Sequence, residues 1–334
     1  MIRRSCSAAA AAAAVLAASF ASTGSSGAHA AGVSAALTET RGLLRVDGAG
    51  IAYRELNRTA RGTALLLIVG YGSTMAEWDP ALIRGLATRR RLIMFDNRGA
   101  GDSTGSVKHL SVHVMAGDAA GVIHGLKLGR VDVLGWSMGG FIAQELTLDS
   151  PALVRRLILA STDPGSPRAT PGKPAVIRAL TNPATTVAQL LPILFPRDQA
   201  TAAKTWLTAI ASQPGVTSRD FTVSPAATAA QKTATHSLWL GRGEGTYARL
   251  SAIRARTLVA YGTKDVVVPS SSAQLLFRRI PYAVSSRVRD AGHAFLFQDP
   301  VSVARAFTAF LASRAAHAAT RSQPHPTLDH LAPR

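Results

Sequence analysis

Thiols are almost missing from this chain of 334 residues: there is one cysteine, Cys6, and it precedes an alanine-rich apolar run. With no second thiol there is no intramolecular disulfide, and the residues beyond Cys6 hold neither a thiolate metal site nor a cysteine nucleophile. Acidic residues are also scarce, 19 Asp and Glu against 37 Lys and Arg, which leaves a formal charge of +18 at pH 7. A surplus of that size binds nucleic acid when it is gathered into a stripe interleaved with aromatic rings. Here the basic residues are scattered and aromatics make up only 6% of the chain, so no nucleic-acid partner is expected. Long apolar runs are lacking too. The longest, near the N-terminus, is too short and too rich in alanine for a membrane span, which needs about 20 strongly apolar residues.

That N-terminal run has a different reading. Arg3 and Arg4 precede the alanines, Val15, Leu16 and Phe20 lie within the apolar stretch, and Ala28-His29-Ala30 closes it. A positive start, an apolar middle and an A-x-A end predict a secretory signal peptide over 1–30, cleaved near Ala30, and a flexible leader over 31–40. The expected location is therefore outside the cell or in its envelope, with no stable membrane insertion after cleavage. Cys6 lies ahead of the apolar run, which is not where a lipoprotein acylation site stands.

With 47% hydrophobic residues, the remainder can bury a full-sized core. Residues 43–46 and 51–55 flank Asp47-Gly48-Ala49-Gly50 and predict an opening hairpin. Short, nearly continuous apolar runs follow at 64–69, 91–95, 131–134, 156–160, 257–260 and 286–288. Strands without alternation are buried on both faces, as in a parallel sheet covered by helices. Helical patterns fit between them at 80–88, 111–126, 139–149 and 271–279, so the expected class is a doubly wound α/β domain over 41–162 and 250–314. The interval 163–249 is too long for a bare loop and contains helix-like segments at 176–180, 187–195 and 202–210, which predicts a helical cap. The end, 315–334, is rich in Pro, His, Ser and Thr and is expected to be disordered.

The chemistry concentrates at Gly135-Trp136-Ser137-Met138-Gly139, between a buried strand and a helix. A nucleophile on a strained strand-to-helix turn needs neighbours without side chains, and Gly135, Gly139 and Gly140 meet that demand. Ser137 is thus the candidate nucleophile. His293, in a glycine-containing loop after the last strand, is the candidate general base. His109, His113 and His124 precede the nucleophile, against the expected order, and His236 falls in the cap. Asp265, just past the strand over 257–260, is favoured as the acid that orients His293; Asp163, past the preceding strand, is its rival. Two main-chain N–H groups are needed for an oxyanion, and Met138 and Tyr71 are the candidates. Trp136, Phe295 and Phe297, with the Leu- and Ile-rich cap, suggest an apolar acyl pocket, and Trp136 and Phe295 are the candidate substrate-binding residues.

Taken in order, Ile68-Val-Gly-Tyr-Gly72, Phe95-Asp-Asn-Arg-Gly-Ala-Gly-Asp-Ser103, Gly135-Trp-Ser-Met-Gly139, Gly262-Thr-Lys-Asp265 and Gly292-His293 resemble the bacterial α/β-hydrolase superfamily, near its cofactor-free haloperoxidase-like and esterase branch. The resemblance spans about residues 50–312. It implies the α/β-hydrolase fold with a helical cap, a Ser137–His293–Asp265 triad, no cofactor and no metal. It also implies that Asp96 and Arg98 are scaffold beside the site. The chain departs from many relatives in having Val69-Gly70 where they have His-Gly, and Ser at the nucleophile position disfavours dehalogenase and epoxide hydrolase chemistry. The expected activity is hydrolysis of carboxylic esters of small or apolar substrates. A peracid-forming perhydrolase, another acceptor or scissile bond, and a non-catalytic binding module are the alternatives.

Overall fold

The computed structural model describes residues 37–313. The expected signal peptide, most of the leader and the C-terminal tail fall outside the described residues. Strand β1 (Glu39–Val46) begins inside the span expected for the leader, so residues 39 and 40 belong to the sheet. It pairs antiparallel with β2 (Ala49–Leu56), and the turn between them uses Asp47 and Gly48, both at positive φ.

Six more strands complete the sheet: β3 (Gly62–Ile68), β4 (Arg90–Phe95), β5 (Val131–Trp136), β6 (Val154–Ala160), β7 (Arg256–Gly262) and β8 (Ala283–Val288). Their spatial order is β1-β2-β4-β3-β5-β6-β7-β8, and all pairings from β4 onward are parallel. The continuous apolar runs have the expected cause. In β3, Leu65 and Leu67 enter one core while Leu66 and Ile68 enter the other, and all four are fully buried. Each such side chain contributes about 1.5–3 kcal/mol by leaving water.

On one face lie α1 (Pro80–Ala87) and the last helix of the described residues; on the other lie α2 (Val112–Gly125), α3 (Met138–Asp149) and a helix after β7. Local sequence starts these helices. The Asp79 carboxylate accepts from the amides of Ala81 and Leu82 with Pro80 in the first turn, and the Ser111 hydroxyl accepts from the Val114 amide.

Between β6 and β7 the chain forms four helices, α4 (Pro174–Thr181), α5 (Val187–Leu194), α6 (Ala200–Ala211) and α7 (Pro225–Trp239). The first three overlap the apolar segments read from the sequence. Helix α7 was not among them, because its run of Ala and Thr carries a weak apolar stripe. After β7 come α8 (Ser270–Arg279), the short α9 (Phe295–Gln298) and α10 (Pro300–Ala312).

The segment after β4 joins the sheet to the cap. Arg98 holds Asp118 of α2 through two hydrogen bonds of 2.7 and 2.8 Å, with both side chains buried. The Ser103 hydroxyl donates to the Asp96 carbonyl and accepts from the Ala52 amide. Main-chain bonds then reach across to the cap, from the Gly101 amide to the Thr222 carbonyl and from the Ser224 amide to the Gly99 carbonyl. Removing one partner of a buried pair leaves the other charge uncompensated. Asp118→Ala is therefore expected to cost about 3–5 kcal/mol of stability, read as a lower urea midpoint. A change below about 1 kcal/mol would show the pair to be solvated and dispensable.

Candidate active site

Strand β5 ends against helix α3 with no connecting loop, so Ser137 is held at φ 55° and ψ −119°. An L-residue tolerates that conformation only when its surroundings enforce it. The enforcement is close packing: a Cβ on Gly135 would strike the Gly139 carbonyl, and one on Gly139 would strike the Ile68 carbonyl. Gly140 is equally confined, against Thr162. The expected elbow is present, and its serine is 4% exposed.

His293 arrives from the segment between β8 and α9. Several bonds hold this segment: the Gly292 amide donates to Gln298 Oε1, the Ala294 amide to the Leu194 carbonyl of the cap, and Trp136 Nε1 to the His293 carbonyl. The imidazole Nε2 lies 2.8 Å from Ser137 Oγ. Its Nδ1 lies 2.9 and 3.1 Å from the two Asp265 oxygens. With a carboxylate on the Nδ1 side, the tautomer that carries its proton on Nδ1 leaves Nε2 free to accept the serine proton. Asp265 is itself fixed by the amides of Val267 and Val268, both 2.9 Å from Oδ1.

The rival acid is close by but points elsewhere. Asp163 Oδ1 accepts from the Gly165 amide at 2.6 Å, and the Asp163 carbonyl accepts from Gln144 Nε2. Burial, followed by the nearby charge of Asp265, pushes its pKa up to about 7, whereas His293 and the Gly165 amide act in the opposite direction.

Tyr71 lines the same cavity as Ser137, and Met138 follows the serine in the chain. The Met138 amide opens α3 and so has no partner within the helix. The loop after β3 lies against the nucleophile, since a Cβ on Gly70 would be 3.5 Å from Ser137 Cβ. This loop is anchored from above by α7: the Gly72 amide donates to Gln231 Oε1 at 2.9 Å and the Tyr71 hydroxyl to the Thr228 carbonyl at 3.3 Å. The Tyr71 ring meets Trp239 edge-on at 5.2 Å.

A cavity of about 540 Å³ opens above Ser137 and His293. Trp136 lines it, as expected, together with Leu180, Leu190, Leu191, Leu194 and Trp206. Phe295 does not, which corrects its expected role. Its helix α9 turns the ring into the core beneath the sheet edge, where it is 1% exposed. Phe297 is also buried, stacked on Trp206 with centroids 5.2 Å apart. Glu77 was missed by sequence reasoning; it lines the cavity, and burial pushes its pKa up to about 8. Its signal was the Thr74-x-x-Glu77 pattern of a capping box, of which one half is made, the Thr74 amide donating to Glu77 Oε1 at 3.4 Å.

A nucleophilic serine on a strand–helix elbow, relayed to histidine and aspartate at the carboxyl edge of a parallel sheet, defines a class of hydrolases. The sequence profile of the alpha/beta hydrolase family matches residues 65–306, and the chain belongs to that family. It is similar to RutD of Azorhizobium caulinodans, a protein named as a carbamate hydrolase, at 30% identity over 70% of this chain and 85% of that one. The poly(3-hydroxyalkanoate) depolymerase of Ectopseudomonas oleovorans is 27% identical over 78% of this chain and 89% of its own length. Among solved structures, an alpha/beta hydrolase fold protein from Chitinophaga pinensis superposes with a TM-score of 0.69 at 27% identity, covering 83% of this chain and 98% of that one. The protein is thus a hydrolase.

Burial raises the pKa of several carboxyls in the folded chain, most of all Glu77, to about 8, and Asp96 and Asp163, each to about 7. The stability they lend is complete below about pH 4 and is lost as the pH rises through about 7 to 8. The denaturation midpoint should fall from about pH 5 to about pH 9, and Asp163→Asn, which keeps an acceptor for the Gly165 amide, should flatten that decline. An equal decline in the variant would show that Asp163 titrates alike in both states.

Proposed function

We propose that the protein hydrolyses carboxylic esters of small or apolar substrates through an acyl-enzyme on Ser137. One observation carries this reading: the continuous contact Ser137 Oγ–His293 Nε2–Asp265 at the base of an apolar cavity. In the first half-reaction Ser137 Oγ attacks the ester carbonyl as His293 takes its proton, and Asp265 stabilises the imidazolium. The tetrahedral oxyanion accepts hydrogen bonds from the Met138 and Tyr71 amides. His293 then gives its proton to the departing alkoxide, so that an alcohol leaves and Ser137 holds the acyl group. Water repeats the sequence, with His293 as base, and releases the acid.

The named activities of the relatives support this choice of bond, since a carbamate and a polyhydroxyalkanoate both carry an acyl carbon bonded to oxygen. The leucines of α4 and α5 over the cavity favour an apolar acyl chain. Each methylene buried there is worth about 0.8 kcal/mol, so kcat/KM for p-nitrophenyl esters should rise about fourfold per added CH2 until the cavity is filled. Ser137→Ala should abolish both turnover and labelling by a fluorophosphonate, and Asp265→Asn should lower kcat about ten-thousand-fold while leaving the fold intact. Labelling that survives in Ser137→Ala would place the nucleophile elsewhere.

A further inference from the structure

One wall of the cavity is charged. Lys232 of α7 lines the cavity that Ser137 also lines, one position after Gln231, which anchors the loop after β3. A second basin of about 640 Å³ adjoins the first, and the two share Thr181, Asn182, Pro183, Thr185 and Lys232. Lys232 therefore stands at the boundary between the reaction chamber and the outer basin.

Among the described residues no carboxylate pairs with Lys232, and none of the outer basin's lining residues is acidic. That lining instead brings Arg178 and His236 alongside Lys232, and His236 Nδ1 is buried without a hydrogen-bond partner. Inside the reaction chamber the one acidic lining residue is Glu77, whose carboxyl burial pushes towards its neutral form. An ammonium on the wall of a mainly apolar chamber, where that chamber opens into a basin lined by basic and no acidic residues, favours an anion that arrives with the substrate.

We propose that the preferred substrates carry a carboxylate at the end of an apolar acyl chain, remote from the scissile ester, and that Lys232 is the specificity-determining residue that binds it. The inference rests on the ester-hydrolase reading of Ser137 and narrows its substrate class. The leucine-lined stretch of the cavity takes the methylenes, and Lys232 takes the charge where that stretch opens into the basic basin.

The test compares two p-nitrophenyl esters of equal length, the monoester of suberic acid and its counterpart ending in a neutral primary amide. The wild-type protein should favour the acid tail in kcat/KM by about tenfold, the size of one charge-assisted hydrogen bond. Added salt should shrink that preference. Lys232→Met should bring the acid-to-amide ratio close to one, and Lys232→Arg should restore most of it. Because the readout is a ratio within each protein, a change in the amount of folded enzyme does not move it. Equal rates for the two tails in the wild type, or a preference that survives in Lys232→Met, would overturn the inference while the ester-hydrolase reading stands. If neither tail is cleaved but an uncharged apolar ester is, the inference falls alone. If no ester is cleaved and a fluorophosphonate leaves Ser137 unlabelled, both fall.

Discussion

The site depends on a tight junction in which β5 passes directly into α3 with Ser137 at positive φ. That one turn carries both the Ser137 hydroxyl and the Met138 amide, which opens α3 and has no partner within the helix. The junction closes only because Gly135, Gly139 and Gly140 have no Cβ to collide with the β3 carbonyls, the helix or Thr162. Fully buried leucine and isoleucine on the two faces of β3, and Leu134 opposite Val131 and Val133 in β5, hold the turn against relaxation. Strain at one residue is thus balanced by the packing of two cores.

Around that turn the remaining groups are positioned by segments far apart in sequence. Asp265 is locked by two amides of its own loop, whereas the His293 segment is tied to the cap through Leu194 and to the elbow through the Trp136 indole. The imidazole, at 2% exposure, is shielded from water, which strengthens its contacts with both partners. Asp163, although close enough to sense the charge of Asp265, spends its acceptor on the Gly165 amide.

Much of this was legible in the sequence because it rests on short-range rules. Continuous apolar runs marked strands buried on both faces, and the glycines around Ser137 marked a turn that admits no side chains. The order Ser137, Asp265, His293 matched the geometry found. Other features were hidden for physical reasons. Helix α7 has an apolar stripe built from alanine and threonine, which does not stand out. Helix α10 was overlooked although Asp299 and Pro300 start it and Val303, Ala304, Phe307, Phe310 and Leu311 form its buried face. Phe295 looked like a pocket aromatic because it follows His293, but the direction of a side chain on a four-residue helix is set by the tertiary fold. The placing of Glu77 and Lys232 in the cavity depends on contacts across more than 100 residues, which no local pattern encodes.

The bonds from α7 to the oxyanion loop bear on how such a protein could be re-engineered. Because Gln231 and Thr228 hold Gly72 and Tyr71 from above, the cap is a structural member of the catalytic floor as well as a cover for it. Caps exchanged between homologous hydrolases to transplant selectivity would, in this chain, carry off two supports of the reaction centre. A successful chimaera would have to retain the α7 face bearing those two residues and vary only α4 to α6.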